Sequence, residues 1–270
     1  MKFIVTTFFK GGFYILTNKA FRHFAWLVLR HGRRQRYKPV RVKAGRFKLR
    51  VPDARSFIWQ YYEIFFKEIY RFKTSSPAPL IIDCGSNVGS SVLYYKTVYP
   101  SSTILAFEPD PSIFAYLKNN LAANGVANGV TLFQQAVWKA DEMLSFSSEG
   151  ADGGALGDTG QSAISVKAVR LKTILEQYQR VDFLKIDIEG AEIIVLQDCQ
   201  DALDRVNNLF VEYHSFNNSP QELQVILDIL SRKGYRYYVE NVTHKMSPLI
   251  SEKQYGNNMD MQLNVFAYRA

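Results

Sequence analysis

Only two cysteines, Cys84 and Cys199, occur in the 270 residues. That is too few for a disulfide framework, and neither reads as a metal ligand, so a secreted disulfide scaffold is excluded and a reducing, cytoplasmic setting is expected. No uninterrupted apolar run reaches the about 20 residues that cross a bilayer as a helix. The G-x-G-x-x-G fingerprint of dinucleotide enzymes is also missing, which disfavours a nicotinamide oxidoreductase. Acids are missing from one region altogether. Residues 1–50 hold six Lys and eight Arg and no Asp or Glu, whereas the remainder holds 19 basic against 25 acidic groups. The net charge of +8 therefore averages a basic head and a mildly acidic body.

The head has its own pattern. From Phe13, the apolar positions Leu16, Ala20, Phe24, Leu27 and Val28 recur at helical spacing, with Asn18, Lys19 and Arg22 between them. Two roles fit: a helix capping the body or forming a homo-oligomer contact, and an amphipathic helix lying on an anionic membrane surface, with the cations of 30–38 near the head groups. The second would place the chain peripherally at the inner membrane face. A basic arm also suits nucleic acid, but no motif of a common nucleic-acid module accompanies it. Val40–Val51 alternates as a hairpin about Ala44-Gly45, and Ser56–Tyr70 reads as an aromatic helix with Phe57, Tyr61, Phe65 and Ile69 on one face. Residues 1–75 thus form an extension of helix, hairpin and helix, and residues 76–270 the main domain.

That domain opens on LIIDCGSNVGSS, Leu80–Ser91. An apolar strand ends in Asp83, and Gly85, Asn87 and Gly89 follow as a tight strand-to-helix turn, where a missing Cβ lets a ligand approach the backbone. An acid ahead of the first glycine would repel a pyrophosphate but suits a cationic amino group. Thr103–Phe107 reads as the next strand, closed by Glu108 and Pro109. An acid at that strand tip is placed to accept both hydroxyls of a ribose. A nucleoside with a zwitterionic tail and no phosphate is S-adenosylmethionine (SAM). Ala136, after a third strand at 130–134, is expected at the adenine edge.

Further on, the glycine-rich stretch 147–162 reads as a flexible excursion or a substrate lid. Val181–Ile186 is a buried strand ending in Asp187-Ile188-Glu189-Gly190-Ala191-Glu192, and residues 208–211 form a strand ending in Glu212-Tyr213-His214. Ser219-Pro220-Gln221-Glu222 reads as a capping box for the helix carrying Leu223, Ile226, Leu227 and Leu230. Tyr235–Glu240 and Leu263–Tyr268 read as closing antiparallel strands. Alternating strands and helices from Leu80 onward predict an α/β, doubly wound, mostly parallel sheet.

Four blocks, IIDCGSNVGSS, AFEPDP (Ala106–Pro111), FLKIDIEGAE (Phe183–Glu192) and VEYH (Val211–His214), resemble the FkbM-type family of SAM-dependent methyltransferases. The resemblance covers roughly Leu80 to His214 and leaves the first seventy-odd residues outside. It implies a seven-stranded class I methyltransferase sheet and, usually, O-methylation of a sugar or secondary metabolite. One departure is visible: Leu171-Lys172-Thr173 stands where relatives commonly carry a Leu-Asp pair.

Ligands of open α/β sheets sit beyond the carboxyl ends of the strands. If the strands before Asp187 and Glu212 are neighbours, their acids and His214 converge there. Asp187, Glu212 and His214 are therefore the candidate catalytic residues. Either Asp187 or His214 acts as base without a metal, or the cluster, with Asp187 and Glu212 as ligands, holds a hard cation such as Mg²⁺. Glu192 is expected merely to favour the first turn of a helix. The competing class, a non-catalytic SAM-binding or membrane scaffold, would not need this second acidic cluster.

Overall fold

The computed structural model describes residues 12–147, 155–156, 163–242, 247–250 and 259–269. Residues 12–17 are helical, Asn18 breaks the helix, and its side chain caps α1 (Lys19–His31) by accepting from the Phe21 N–H. β1 (Val40–Ala44) and β2 (Phe47–Val51) pair antiparallel with inward Val40, Val42, Ala44, Phe47, Leu49 and Val51 and outward cations, as their alternation predicts.

The aromatic helix is shorter than its sequence suggests. Asp53 caps α2 (Ala54–Tyr61) by accepting from the Arg55 and Ser56 N–H groups, and the chain then widens into a π-turn, Tyr62–Phe66. The Lys67 N–H reaches back to Tyr62 O, Glu68 takes φ +55°, and Ile69 falls outside the helix.

A seven-stranded sheet follows. It comprises β3 (Leu80–Cys84), β4 (Thr103–Phe107), β5 (Val130–Phe133), β10 (Val181–Ile186), β11 (Val206–Phe216), β12 (Arg236–Asn241) and β13 (Met259–Tyr268), in the spatial order β12-β13-β11-β10-β3-β4-β5. β5, β4, β3, β10 and β11 are parallel, and β13 runs antiparallel between β11 and β12. The order reverses between β3 and β10, which opens a crevice at their carboxyl ends.

Helices α3 (Ser90–Val98) and α4 (Pro111–Ala123) cover one face of the sheet. α5 (Leu171–Glu176), α6 (Glu192–Cys199) and α7 (Leu223–Arg232) cover the other. The extension joins the first face: Leu27, Val42, Leu49, Phe57 and Tyr70 share one core with Ile81, Phe183 and Phe210.

Three details differ from the sequence reading. β11 runs on through Glu212 and His214, because β13 pairs alongside with Glu212 opposite Asn264 and His214 opposite Gln262. No capping box forms at Ser219: α7 starts at Leu223, and the Glu222 N–H is met by the Tyr213 hydroxyl instead. A small second sheet is formed by β6 (Ala136–Trp138), β7 (Met143–Ser147), β8 (Ala155–Leu156) and β9 (Ala163–Arg170), of which the sequence pattern shows only Ala163–Val169 as an extended stretch. Apart from Ser147, Ala155 and Leu156, the glycine-rich stretch 147–162 lies outside the described residues.

Candidate active site

Side chains two apart on a strand share a face, and register decides what meets on it. Lys185 lies beside Asp83, and Phe183 beside Ile81. Phe183, Lys185 and Asp187 thus continue one row, and Phe210, Glu212 and His214 make the matching row on β11. At the crevice end apolar partners give way to charges.

Lys185 is the centre of that change. It is 2 % exposed, and its Nζ lies 3.0 Å from Asp187 Oδ2 and 3.4 Å from Asp83 Oδ1 while donating to Gly85 O at 2.7 Å. Burial disfavours its charge, but Asp187 and Asp83 outweigh burial and hold the ammonium well above its usual range. Asp83 is fully buried, with one oxygen accepting from Ser91 Oγ at 2.5 Å and the other left without a hydrogen-bond donor. The charge of Asp83 is therefore already met from inside by Lys185, which the sequence reading did not include among the site residues.

The glycine turn packs directly on the Asp187 backbone. Gly85 takes φ +91°, and a Cβ there would lie 1.9 Å from Asp187 O. Gly85→Ala is expected to cost about 3 kcal/mol or more, combining left-handed strain with backbone overlap. Gly125→Ala, also at positive φ but with open space around it, should cost only about 1 kcal/mol. Thermal melts of the two variants check this; equal losses would remove the close-approach argument. Asn87 takes φ +46°, and its N–H donates to Glu108 Oε2 at 3.0 Å.

Glu108 stands at the tip of β4 as expected, buried, with Oε1 accepting from the Asp110 N–H at 3.0 Å. Burial raises its pKa to about 8, against the opposing pull of the two N–H donors. Pro109 is half-buried, and Asp110 caps α4 by accepting from the Ser112 and Ile113 N–H groups, so the AFEPDP block sets a strand end and a helix start together. Ala136 is buried in β6 opposite Ala168, in the smaller sheet.

Asp187, Glu212 and His214 do converge: a ligand atom from each lies within 4.8 Å of the others. Burial pushes Asp187 up, but Lys185 and His214 hold its carboxyl below the usual range. Glu212 is raised well above its usual value by burial and by Asp187 beside it. Gln262 Nε2 donates to its Oε1. His214 Nδ1 lies 3.2 Å from Glu192 Oε1 and its Nε2 lies 3.6 Å from Glu189 Oε2. Burial opposes the imidazolium, but Glu189 and Glu192 outweigh it and raise the pKa well above the ordinary value.

Glu192 does more than favour a helix turn. It is buried, accepts from the Ile188 and Gly190 N–H groups, and anchors His214. The clue was available in its spacing after the tight turn at Gly190, which takes φ +97°. The extension contributes as well. Gln60 accepts from Ser90 Oγ beside the glycine turn, and Lys67 pairs with Glu240 at 2.8 Å. Burial raises the pKa of Glu63 on the π-turn, and Asp187 is among the charges acting on it.

A doubly wound seven-stranded sheet with β13 antiparallel between β11 and β12, and acids at the ends of β4, β10 and β11, has the class I methyltransferase architecture. The model of the methyltransferase FkbM domain matches residues 83–237, so the chain belongs to the FkbM methyltransferase family. Among curated relatives, Methyltransferase 1 of Beauveria bassiana is 30% identical over 210 residues, covering 66% of this chain and 82% of that protein. The 31-O-demethyl-FK506 methyltransferase FkbM of Streptomyces tacrolimicus is 27% identical over 188 residues, covering 56% and 71%. The 2-O-methyltransferase NoeI of Sinorhizobium fredii is 25% identical over 177 residues, covering 57% and 72%.

Proposed function

We propose that the chain transfers a methyl group from SAM to a hydroxyl of a sugar, glycan precursor or secondary metabolite. The observation that carries this is the pairing of Glu108, at the tip of β4, with the acidic row at the ends of β10 and β11, on either side of one crevice. The O-directed names of two relatives support the choice of acceptor atom. A non-catalytic SAM-binding scaffold would need the first half of this crevice and not the second.

The residues fit the cofactor. Each Glu108 oxygen takes one backbone N–H and keeps a second acceptor position, which suits the two hydroxyls of a ribose. SAM would supply an electrophilic methyl on a sulfonium. The chain's own task is then to hold the acceptor in line and receive its proton. Asp187, ionised and partly exposed, is the group placed to take that proton as the new C–O bond forms. Glu212 and His214 position the acceptor or, with Asp187, hold a divalent cation. Two carboxylates and an imidazole admit Mg²⁺, but the nitrogen donor also suits a transition metal such as Mn²⁺.

Calorimetry tests the reading. SAM should bind, and Glu108→Ala should weaken binding by about tenfold to a hundredfold, the worth of buried hydrogen bonds to a charged group. Because the Glu108 pKa stands at about 8 without ligand, accepting both ribose hydroxyls requires it to ionise. Binding at neutral pH should therefore release roughly one proton, read from buffers of different ionisation enthalpy. The same shift makes Glu108 stabilise the ligand-free fold below its unfolded pKa, with that contribution lost as pH rises toward 8. Tight NADH binding without SAM binding would overturn the assignment.

A further inference from the structure

The first fifty residues present a surface that methyl transfer does not use. α1 has two faces. The inner one carries Phe21, Phe24 and Leu27; Phe21 meets Phe66 at 4.9 Å and Phe24 meets Tyr62 at 4.8 Å. The apolar stripe read from the sequence is therefore split, since Phe24 and Leu27 belong to the body whereas Leu16 and Val28 do not. The outer face carries Trp26 and Leu29, the latter 87 % exposed, flanked by exposed Lys19, Arg22 and Arg30.

The helical turn at 12–17 carries two further exposed apolar side chains, Phe13 and Leu16, at 60 % and 81 %. Arg22 ties the two pieces together by donating to Ile15 O and Leu16 O. No acid occurs before Asp53. Among the described residues, Arg36 alone of this segment's cations forms an ion pair, with Asp53.

We propose that the exposed apolar side chains Phe13, Leu16, Trp26 and Leu29, together with Lys19, Arg22, Arg30 and the exposed Arg33 just past the end of α1, form a docking surface for an anionic lipid membrane. Aromatic and aliphatic side chains between Lys and Arg are what an interfacial helix presents: the apolar groups enter the head-group boundary while the cations meet anionic lipid. Charge chooses between occupants. A second copy of this chain on the same face would set Lys19, Arg22 and Arg30 against their own kind, which like-charge repulsion disfavours. Nucleic acid would use the cations but leave the apolar row unburied.

The inner face of α1, opposite the docking row, packs against the π-turn. Tyr62 and Phe66 of the π-turn pack on α1, and Glu63 between them feels the charge of Asp187. The docking itself does not depend on the methyl-transfer reading.

The test is flotation of the full chain with vesicles of phosphatidylcholine alone or mixed with phosphatidylglycerol. A truncation before Val40 is unsuitable because it would strip Phe21, Phe24 and Leu27 from the core. The chain should float with the anionic vesicles at low salt, much less with the zwitterionic ones, and less as salt rises. Trp26→Ser with Leu29→Ser should lower the partition coefficient at least tenfold, with the melting temperature and SAM affinity unchanged. Removing three cations by Lys19→Ala, Arg30→Ala and Arg33→Ala should lower it about a hundredfold, at about fivefold each.

Failure of the full chain to float at low salt would overturn the proposal. So would unchanged flotation of both variants, which would place the contact elsewhere in the chain. A dimer in sedimentation that the Trp26/Leu29 pair abolishes, without vesicle binding, would assign the face to a second copy. Binding to RNA that outcompetes vesicles and survives loss of Trp26 and Leu29 would assign it to nucleic acid.

Discussion

Asp187→Asn is expected to lower the rate of methyl transfer by about a hundredfold to ten-thousandfold, the usual worth of a positioned proton acceptor. SAM affinity should stay within a few-fold, because Glu108 and the glycine turn are untouched. The reason lies in the three ionisable groups that converge. Burial and the neighbouring Asp187 raise the Glu212 pKa, and Glu189 and Glu192 outweigh burial to raise that of His214. Asp187 is the member of the trio whose charge partner, Lys185, keeps it ionised. Transfer of labelled methyl from SAM to a panel of nucleotide sugars and hydroxylated polyketides gives the readout.

His214→Ala should act differently from Asp187→Asn. It removes the imidazole that pairs with Glu189 and Glu192, so acceptor KM should rise more than kcat falls. A chelator separates two versions of the chemistry. If EDTA abolishes turnover and Mn²⁺ or Mg²⁺ restores it, Asp187, Glu212 and His214 act as ligands; if EDTA does nothing, Asp187 acts as a plain base. Full activity in both Asp187→Asn and His214→Ala would remove the cluster from the mechanism.

The strand ends were legible in the sequence because each combines an apolar run with an acid or glycine at its close: Asp83, Glu108 and Asp187 all lie where that pattern puts them. β10 and β11 are paired neighbours, which the convergence of their terminal acids requires. Other features depended on partners distant in sequence. β11 reads as ending at Val211 because Glu212 and His214 are polar, yet β13 pairs beyond them and keeps them in the sheet.

A local cap at Ser219 loses to a tertiary donor-acceptor pair, Glu222 with Tyr213. The stripe from Phe13 to Val28 carries a helical period but not the side on which the body will lie. Asn18 divides it and the core takes one face. Lys185 is the residue whose role the sequence hides most. A lysine inside an apolar strand looks like a tolerated irregularity until register sets it beside Asp83, so its role could not be read from β10 alone.

Lys185 also carries the largest stability effect expected. Lys185→Met should destabilise the fold by about 3–5 kcal/mol at neutral pH, because it leaves buried carboxylates without their cation. For a chain of this size that corresponds to a fall of roughly 10 °C in melting temperature. The pH dependence distinguishes this from simple loss of packing. In the native protein Lys185 keeps the Asp187 pKa below its unfolded value, so Asp187 contributes stability that is present above that value and lost as pH falls. Without Lys185, burial is the dominant influence on Asp187 and acts upward, so its contribution is lost as pH rises instead. The gap between the two proteins should therefore be small near pH 4 and widen toward pH 7. Adding Asp83→Asn to Lys185→Met should recover part of the loss at neutral pH by removing one uncompensated charge, a coupling that a double-mutant cycle reads directly. Melts at several pH values measure it; a constant gap across the range, or no recovery in the double variant, would show that Lys185 acts through packing and not through its charge.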